Sequence, residues 1–184
     1  NLSGYFDSRL VFVEESGRQF FSLQNEPLES PFNQMIKRCF DLSISLPALF
    51  FILPPCMFFV KFFQALQSPG PLFFTQERVG LGGRTFTIWK FRSMKFVQKG
   101  ERDESKQASL GDRRIFAFGA FMRRFSIDEV PQFINVLKGE MSLVGPRPLL
   151  VEYLELYSET EMQRHNLKPG ITGWAQVNCL LYTS

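Results

Sequence analysis

The chain is poor in the residues that most often hold metals or build disulfide frameworks. It has three cysteines, Cys39, Cys56 and Cys179, far apart and with no CxxC spacing. That argues against a zinc site and a disulfide framework, and it fits a reducing, cytoplasm-facing compartment. The single histidine, His165, leaves little scope for histidine-based catalysis or a histidine-rich metal site. There is no internal repeat and no low-complexity tract, and the first thirty residues are too polar and mixed for a cleavable signal peptide. Net charge is only +3 over 184 residues, which makes a nucleic-acid-binding role remote. The chain begins at Asn1 rather than Met, so a part of a longer polypeptide is expected.

What the chain has in excess is phenylalanine, 22 residues. A mean hydropathy near zero hides how unevenly the apolar residues are spread. Residues 42–60, "LSISLPALFFILPPCMFFV", carry no charge at all. As a straight helix, such a run reaches roughly 28 Å, enough to cross the hydrocarbon core of a bilayer. Three prolines argue against a straight crossing. Pro54 and Pro55 remove two backbone donors near the middle, so a sharp kink or a break is expected there. Ser43 or Ser45 could satisfy the freed backbone groups. Lys37 and Arg38 precede the run, and Lys61, Arg78, Arg84, Lys90 and Arg92 follow it. Both flanks are basic, so both ends face the same side, and the expected geometry is a re-entrant helix. The alternative is the buried core helix of a soluble protein, which "ALFFIL" and "CMFFV", apolar on every side, make less attractive.

Around this run the chain reads as an α+β protein, mostly helical. Residues 1–33 form the end of an upstream region, with a strand or two in "RLVFV" and "FFSLQ" and a proline-bounded linker, "NEPLESPFN". After the turn "SPGP", two β-rich runs flank "VGLGG" and predict a small hairpin with a glycine-rich loop. The charged stretch 99–114 reads as a surface loop. Beyond it, Ile115, Phe118, Met122 and Phe125 recur at helical spacing among Arg113, Arg114, Arg123 and Arg124. This is a basic amphipathic helix, suited to a membrane interface or to ordinary packing on a core.

The stretch "FSIDEVPQF", residues 125–133, sets Asp128 beside Glu129. Ser126-x-x-Glu129 has the pattern of a capping box, in which Glu129 needs no chemistry and Asp128 is a first-turn acid. The helix it opens should run toward Lys138-Gly139. A helix N-terminus also stabilises an ionised nucleophile and offers amides to a phosphate. Two adjacent carboxylates at a phosphate site can hold a magnesium ion. Further on, "GPRP" stiffens the backbone carrying Arg147, and a rigidly aimed guanidinium is a good phosphate clamp. A lone GPRP is equally a surface turn.

Taken together, "KRCFDLSISL", "FFTQERVG", "IWKFRSM", "SIDEVPQFINVLKGEMSLVGPRP" and "KPGITGWAQVN" resemble the bacterial sugar transferases, small monotopic phosphoglycosyl transferases acting on polyprenyl phosphate. The likeness covers about residues 36–178 and implies a transferase domain over 34–178. It implies transfer of a sugar-1-phosphate from a UDP-sugar to undecaprenyl phosphate, with release of UMP, through a covalent aspartyl phosphosugar. It also implies a place on the cytoplasmic face of the bacterial inner membrane, in contact with membrane lipid, in exopolysaccharide, lipopolysaccharide O-antigen or glycoconjugate synthesis. Asp128 would be nucleophile and Mg2+ ligand, with Glu129 supporting the metal or the proton balance. Arg147, Arg123, Lys90, Arg78 and Glu77 would be substrate- or phosphate-binding. "KPGITGW" would lie near the nucleotide. His165 also fits the family pattern and reads as structural. Family members continue past "WAQVN" with Gly-Arg, whereas this chain reads "CLLYTS", so 179–184 is set apart as a tail foreign to the native protein. An inactive membrane-anchored binding module of the same fold is the rival reading, against which the intact Asp128, Glu129 and Arg147 stand.

Overall fold

The charge-free run folds as the middle of a 37-residue helical stretch, Pro31–Gln67. The computed structural model describes residues 10–15, 18–23, 28, 30–95, 112–157 and 162–177. The tail 179–184 and most of the charged stretch 99–114 fall outside them. By backbone contacts the chain divides into two units, Asn1–Phe40 and Asp41–Ser184.

In the first unit, β1 (Leu10–Glu15) pairs antiparallel with β2 (Arg18–Leu23), from Leu10 opposite Leu23 to Glu15 opposite Arg18. These are the two short apolar runs of the sequence, joined as a hairpin. Helix α1 (Pro31–Pro47) starts on a proline, whose fixed φ and missing N–H suit a first helical position. The Gln34 side chain donates to the Leu28 carbonyl at 2.8 Å.

The helical stretch does not break at the proline pair. Between α1 and α2 (Leu53–Gln67) lies one π-helical turn, Ala48–Ile52, and the Leu53 amide donates to the Ala48 carbonyl. Pro54 and Pro55 then fall in the first turn of α2. Widening one turn accommodates the two absent donors, so helical winding continues. The Ser45 hydroxyl is buried without a partner and does not supply the capping expected of it.

The second unit is built inside out along this helix. Its buried positions are Asp41, Ser45, Ala48, Leu53, Val60 and Gln64, whereas Phe50, Phe51 and Phe58 are more than 70% exposed. A water-facing helix shows the opposite pattern. Only 22% of its most apolar window is buried among the described residues, unlike the mostly buried core helix of a soluble protein. The inward polar groups are staples. Asp41 accepts from the Ser142 hydroxyl and the Leu143 amide, both at 3.0 Å, tying the helix to β5 (Ser142–Val144). Gln64 donates to the carbonyls of Leu72 and Arg92. Arg92 is buried and donates to Ser68, Pro71 and Met94. It is therefore not one of the free basic residues flanking the apolar run.

The expected hairpin is present. β3 (Phe73–Val79) and β4 (Thr85–Phe91) pair antiparallel, and β6 (Leu149–Leu150) joins the other edge of β3. β5 pairs in parallel with β7 (Gly170–Thr172). Helix α3 (Ala117–Arg124) leads through Ser126 to a 3-10 helix, Ile127–Gln132, and to α4 (Phe133–Lys138), which ends at Gly139 with φ 83°. Leu53, Val60, Phe91, Phe116 and Met122 form the main core, and Ile88, Val136 and Met141 a second.

Asn135 on α4 is fully buried and acts as an extra strand against β4. Its side chain accepts from the Trp89 amide at 3.1 Å and donates to the Thr87 carbonyl and to Glu140, both at 2.7 Å. Asn135→Ala leaves a part-buried donor and acceptor of β4 without their partner and should cost roughly 1–3 kcal/mol. A denaturant or thermal melt of the solubilised protein reads this directly.

Candidate active site

Ser126 has φ 55° and is the one non-glycine residue with positive φ among the described residues. A left-handed serine costs about 1–2 kcal/mol, and backbone strain of this kind gathers at functional sites. It turns the chain sharply from α3 into the 3-10 helix. The capping box is absent: Ser126 makes no side-chain cap bond, and its left-handed backbone is not the extended one a cap residue adopts. The Glu129 carboxylate instead meets the Lys90 ammonium at 2.7 Å.

That turn brings Asp128 inward, to 8% exposure. Burial pushes its carboxyl pKa up, and Glu129 adds to the rise; Lys90 and Arg123 oppose it. The residue is thus a buried carboxylate held near two cations. Arg123, on the last turn of α3, is fixed by a 2.8 Å bond from Nε to the Ser93 hydroxyl. Lys90 reaches the site because strand alternation sets it on one face of the hairpin with Ile88, and with Arg78 on the paired strand.

A cleft opens beside the Lys90–Glu129 pair, lined also by Arg78, Gln132, Arg147, Pro148, Ile171 and Gln176. Lys90 and Glu129 thus face both the cleft and Asp128. Arg78 is anchored to the Pro148 carbonyl at 3.2 Å and to Gln76 at 2.8 Å. Burial, and then the Arg147 guanidinium, lower its pKa to about 10. Arg147 is exposed, with its own carbonyl held by Arg164 at 2.8 Å. The loop carrying it is locked to the segment 168–173: Ser142 N–H bonds Pro169, Gly145 N–H bonds Thr172, and Gly170 N–H bonds Pro146. So Asp128, Glu129, Lys90, Arg123, Arg78 and Arg147 are brought together. Glu77 is not, because alternation turns it to the other face of β3 from Arg78, exposed.

Gln132 and Gln176 were not singled out from the sequence. Nothing local marks them: Gln132 ends the 3-10 helix that packs on β4, and Gln176 follows β7, which pairs with β5. The site lies next to the apolar helix: Phe118 of α3 stacks on Phe63 of α2 at 4.3 Å. Of the apolar face read from the spacing, Met122 is buried and Phe118 half-buried against the core, Ile115 precedes the helix, and Phe125 is exposed beside Phe121 and Arg124.

His165 does not line this cleft; it lies in the 3-10 helix Gln163–Asn166. Burial, then the Arg164 cation, lower its pKa, while a bond to the Gly80 backbone opposes them. Folding therefore disfavours its proton. The stability it contributes is present above the unfolded value near 6.5 and is lost as pH falls through the folded one. The melting temperature should decline on acidification from about pH 7, and His165→Gln should flatten that part of the decline.

A family model described as bacterial sugar transferase matches residues 32–183. Among curated proteins, the chain is 43% identical over 169 residues to a UDP-glucose:undecaprenyl-phosphate glucose-1-phosphate transferase of Escherichia coli, covering 90% of this chain and 35% of that protein. It is 46% identical over 147 residues to an uncharacterized sugar transferase, EpsL, of Bacillus subtilis, covering 78% and 69%. It is 43% identical over 153 residues to a UDP-N-acetylgalactosamine-undecaprenyl-phosphate N-acetylgalactosaminephosphotransferase of Aeromonas hydrophila, covering 82% and 36%. The chain thus spans about a third of the length of the Escherichia coli and Aeromonas proteins.

Proposed function

This chain belongs to the bacterial sugar transferase family, and on that footing we propose that it transfers a sugar-1-phosphate from a UDP-sugar to undecaprenyl phosphate and releases UMP. The observation that carries the reading is Asp128, a buried carboxylate set near Lys90 and Arg123 and close to an apolar helix. A carboxylate oxygen of Asp128 attacks the sugar-bearing phosphorus, and the bond to the UMP oxygen breaks with its electron pair leaving on UMP. An oxygen of undecaprenyl phosphate then attacks the same phosphorus and frees Asp128. Splitting the transfer in two keeps the anionic substrates from meeting at once. Lys90, Arg123, Arg78 and Arg147 offset the phosphate charge.

The helix Pro31–Gln67 is long and apolar enough for a bilayer. Its outward phenylalanines, basic residues on both flanks and a π-helical turn, Ala48–Ile52, at which a wound helix can bend sharply without breaking, support a re-entrant insertion from the cytoplasmic face of the inner membrane. α3 would then lie at the interface, with the site near the lipid phosphate. Relatives named for UDP-glucose and for UDP-N-acetylgalactosamine support the donor class and leave the sugar open.

Among the described residues no group of three or more His, Cys, Asp and Glu could cage a metal. Asp128 lies close enough to Glu129 to feel its charge, and magnesium is commonly held by one or two carboxylates plus substrate phosphates. Asp128, with Glu129 beside it, fits that mode and would hold Mg2+. The ion would supply charge neutralisation at the diphosphate. UMP release measured against a panel of UDP-sugars tests the activity. Excess EDTA should abolish the release, and full activity in EDTA would remove the metal.

A further inference from the structure

One wall of the cleft is not used by the reaction just described. Gln176, on the short helix α5 (Trp174–Val177), lines the cleft with Arg78, Lys90 and Arg147. Both polar atoms of its carboxamide are buried with no hydrogen-bond partner. Arg78 Nε, lining the same cleft, is buried and unpartnered as well. Native proteins seldom leave such atoms unpaired, and those left so call for an explanation. The neighbouring backbone makes room for Gln176: a Cβ at Gly173 would come 2.9 Å from its Oε1 and 2.2 Å from the Gly145 carbonyl.

The two orphans differ in chemistry. Arg78 offers an N–H to an oxygen, in a cleft whose other cations suit phosphate. Gln176 is neutral and carries one acceptor and two donors. Its complement is a neutral group that donates and accepts together. Phosphate cannot be that group, because it only accepts when fully ionised.

We propose that Gln176 binds the uncharged part of the nucleotide sugar, through a group that both donates and accepts. A sugar hydroxyl and the uracil imide edge both have that chemistry. The proposal rests on the UDP-sugar reading above and deepens it. Gln176 is then a substrate-binding and specificity residue, separate from the cations that hold phosphate.

The test compares wild type with Gln176→Leu and Gln176→Glu in the membrane-embedded protein. In Gln176→Leu the KM for the UDP-sugar should rise about tenfold or more, with kcat within about threefold, the signature of lost uniform binding. The melting temperature should hold or rise, because an unpaired buried amide has gone. Gln176→Glu keeps the volume but loses both donors and adds a charge near the phosphates, so it should bind more weakly still. Inhibition by UMP separates the two sources. A KI that weakens along with KM assigns the contact to the uridine part, its uracil or ribose, and an unchanged KI assigns it to the transferred sugar. An active wild type with an unchanged KM in both variants overturns the proposal and leaves the transferase reading standing. A lower melting temperature with unchanged KM overturns it too, since Gln176 is then structural. If wild type releases no UMP from any UDP-sugar, the transferase reading fails and takes this proposal with it.

Discussion

Asp128→Asn is expected to stop UMP release, by at least about a thousandfold, while the protein remains folded. An amide oxygen cannot form the acyl phosphate the proposed route requires. The stability side of the prediction follows from the surroundings of the residue. If Asp128 were only a first-turn acid, its loss would cost under about 1 kcal/mol and spare the rate. It is buried, however, and burial disfavours its charged form. Replacing it with a neutral side chain of the same shape removes that penalty, so the melting temperature should hold or rise. Activity lost together with stability gained is the pattern of a site strained for function. A neighbouring Glu129→Gln is milder. It breaks the ion pair with Lys90 and leaves Lys90 to Asp128, so the rate should fall far less than in Asp128→Asn.

Gly145→Ala should have the second-largest effect. A Cβ at Gly145 would lie 2.3 Å from the Lys168 carbonyl oxygen and 2.8 Å from the Gly170 amide nitrogen. Both are backbone atoms, held by the β5–β7 pairing and by the bonds of Gly145 and Gly170 to Thr172 and Pro146. Neither can yield without parting the two segments, which should cost roughly 3 kcal/mol. The same parting would move Arg147 away from Arg78 and lower activity in whatever protein stays folded. Gly82→Ala is the control. At φ +63° with nothing within 4 Å of its Cβ, it pays only for its backbone conformation, about 1–2 kcal/mol. Melting curves of the two variants side by side, with UMP release on each, check both statements.

Features set by neighbours in the chain were legible from the sequence. The lack of charge over 42–60 marks the apolar helix because burying or inserting a charge is costly. "VGLGG" marks the hairpin because glycine tolerates the left-handed turn, as at Gly82 and Gly83. The helix end at Lys138-Gly139 appears for the same reason, with Gly139 left-handed. Two local motifs misled. Pro54-Pro55 implies a break only if the turn before it keeps α winding, and a π turn removes that condition. Ser126-x-x-Glu129 has the capping spacing, yet capping requires an extended backbone at Ser126, and there the chain is left-handed.

The rest depends on contacts between distant segments. Asn135 reads as an ordinary helical asparagine until β4 is laid beside it. Arg92 reads as a membrane-flanking cation until Ser68, Pro71 and Met94 close around it. Glu77 and Arg78 are adjacent in sequence, but the two-residue period of a strand sends them to opposite faces, and only the register with β4 shows which one meets the cleft. Gln176 enters the cleft only because the segment ahead of it pairs with β5.

The central claim is a covalent phosphosugar on Asp128, and mass spectrometry tests it most directly. The protein is incubated with a UDP-sugar it accepts, without undecaprenyl phosphate, then quenched and digested. The account predicts a mass increase equal to the sugar phosphate on the peptide containing Asp128, absent from Asp128→Asn and discharged when the lipid acceptor is added. An active enzyme that never carries the adduct, or an Asp128→Asn variant with wild-type turnover, would contradict it.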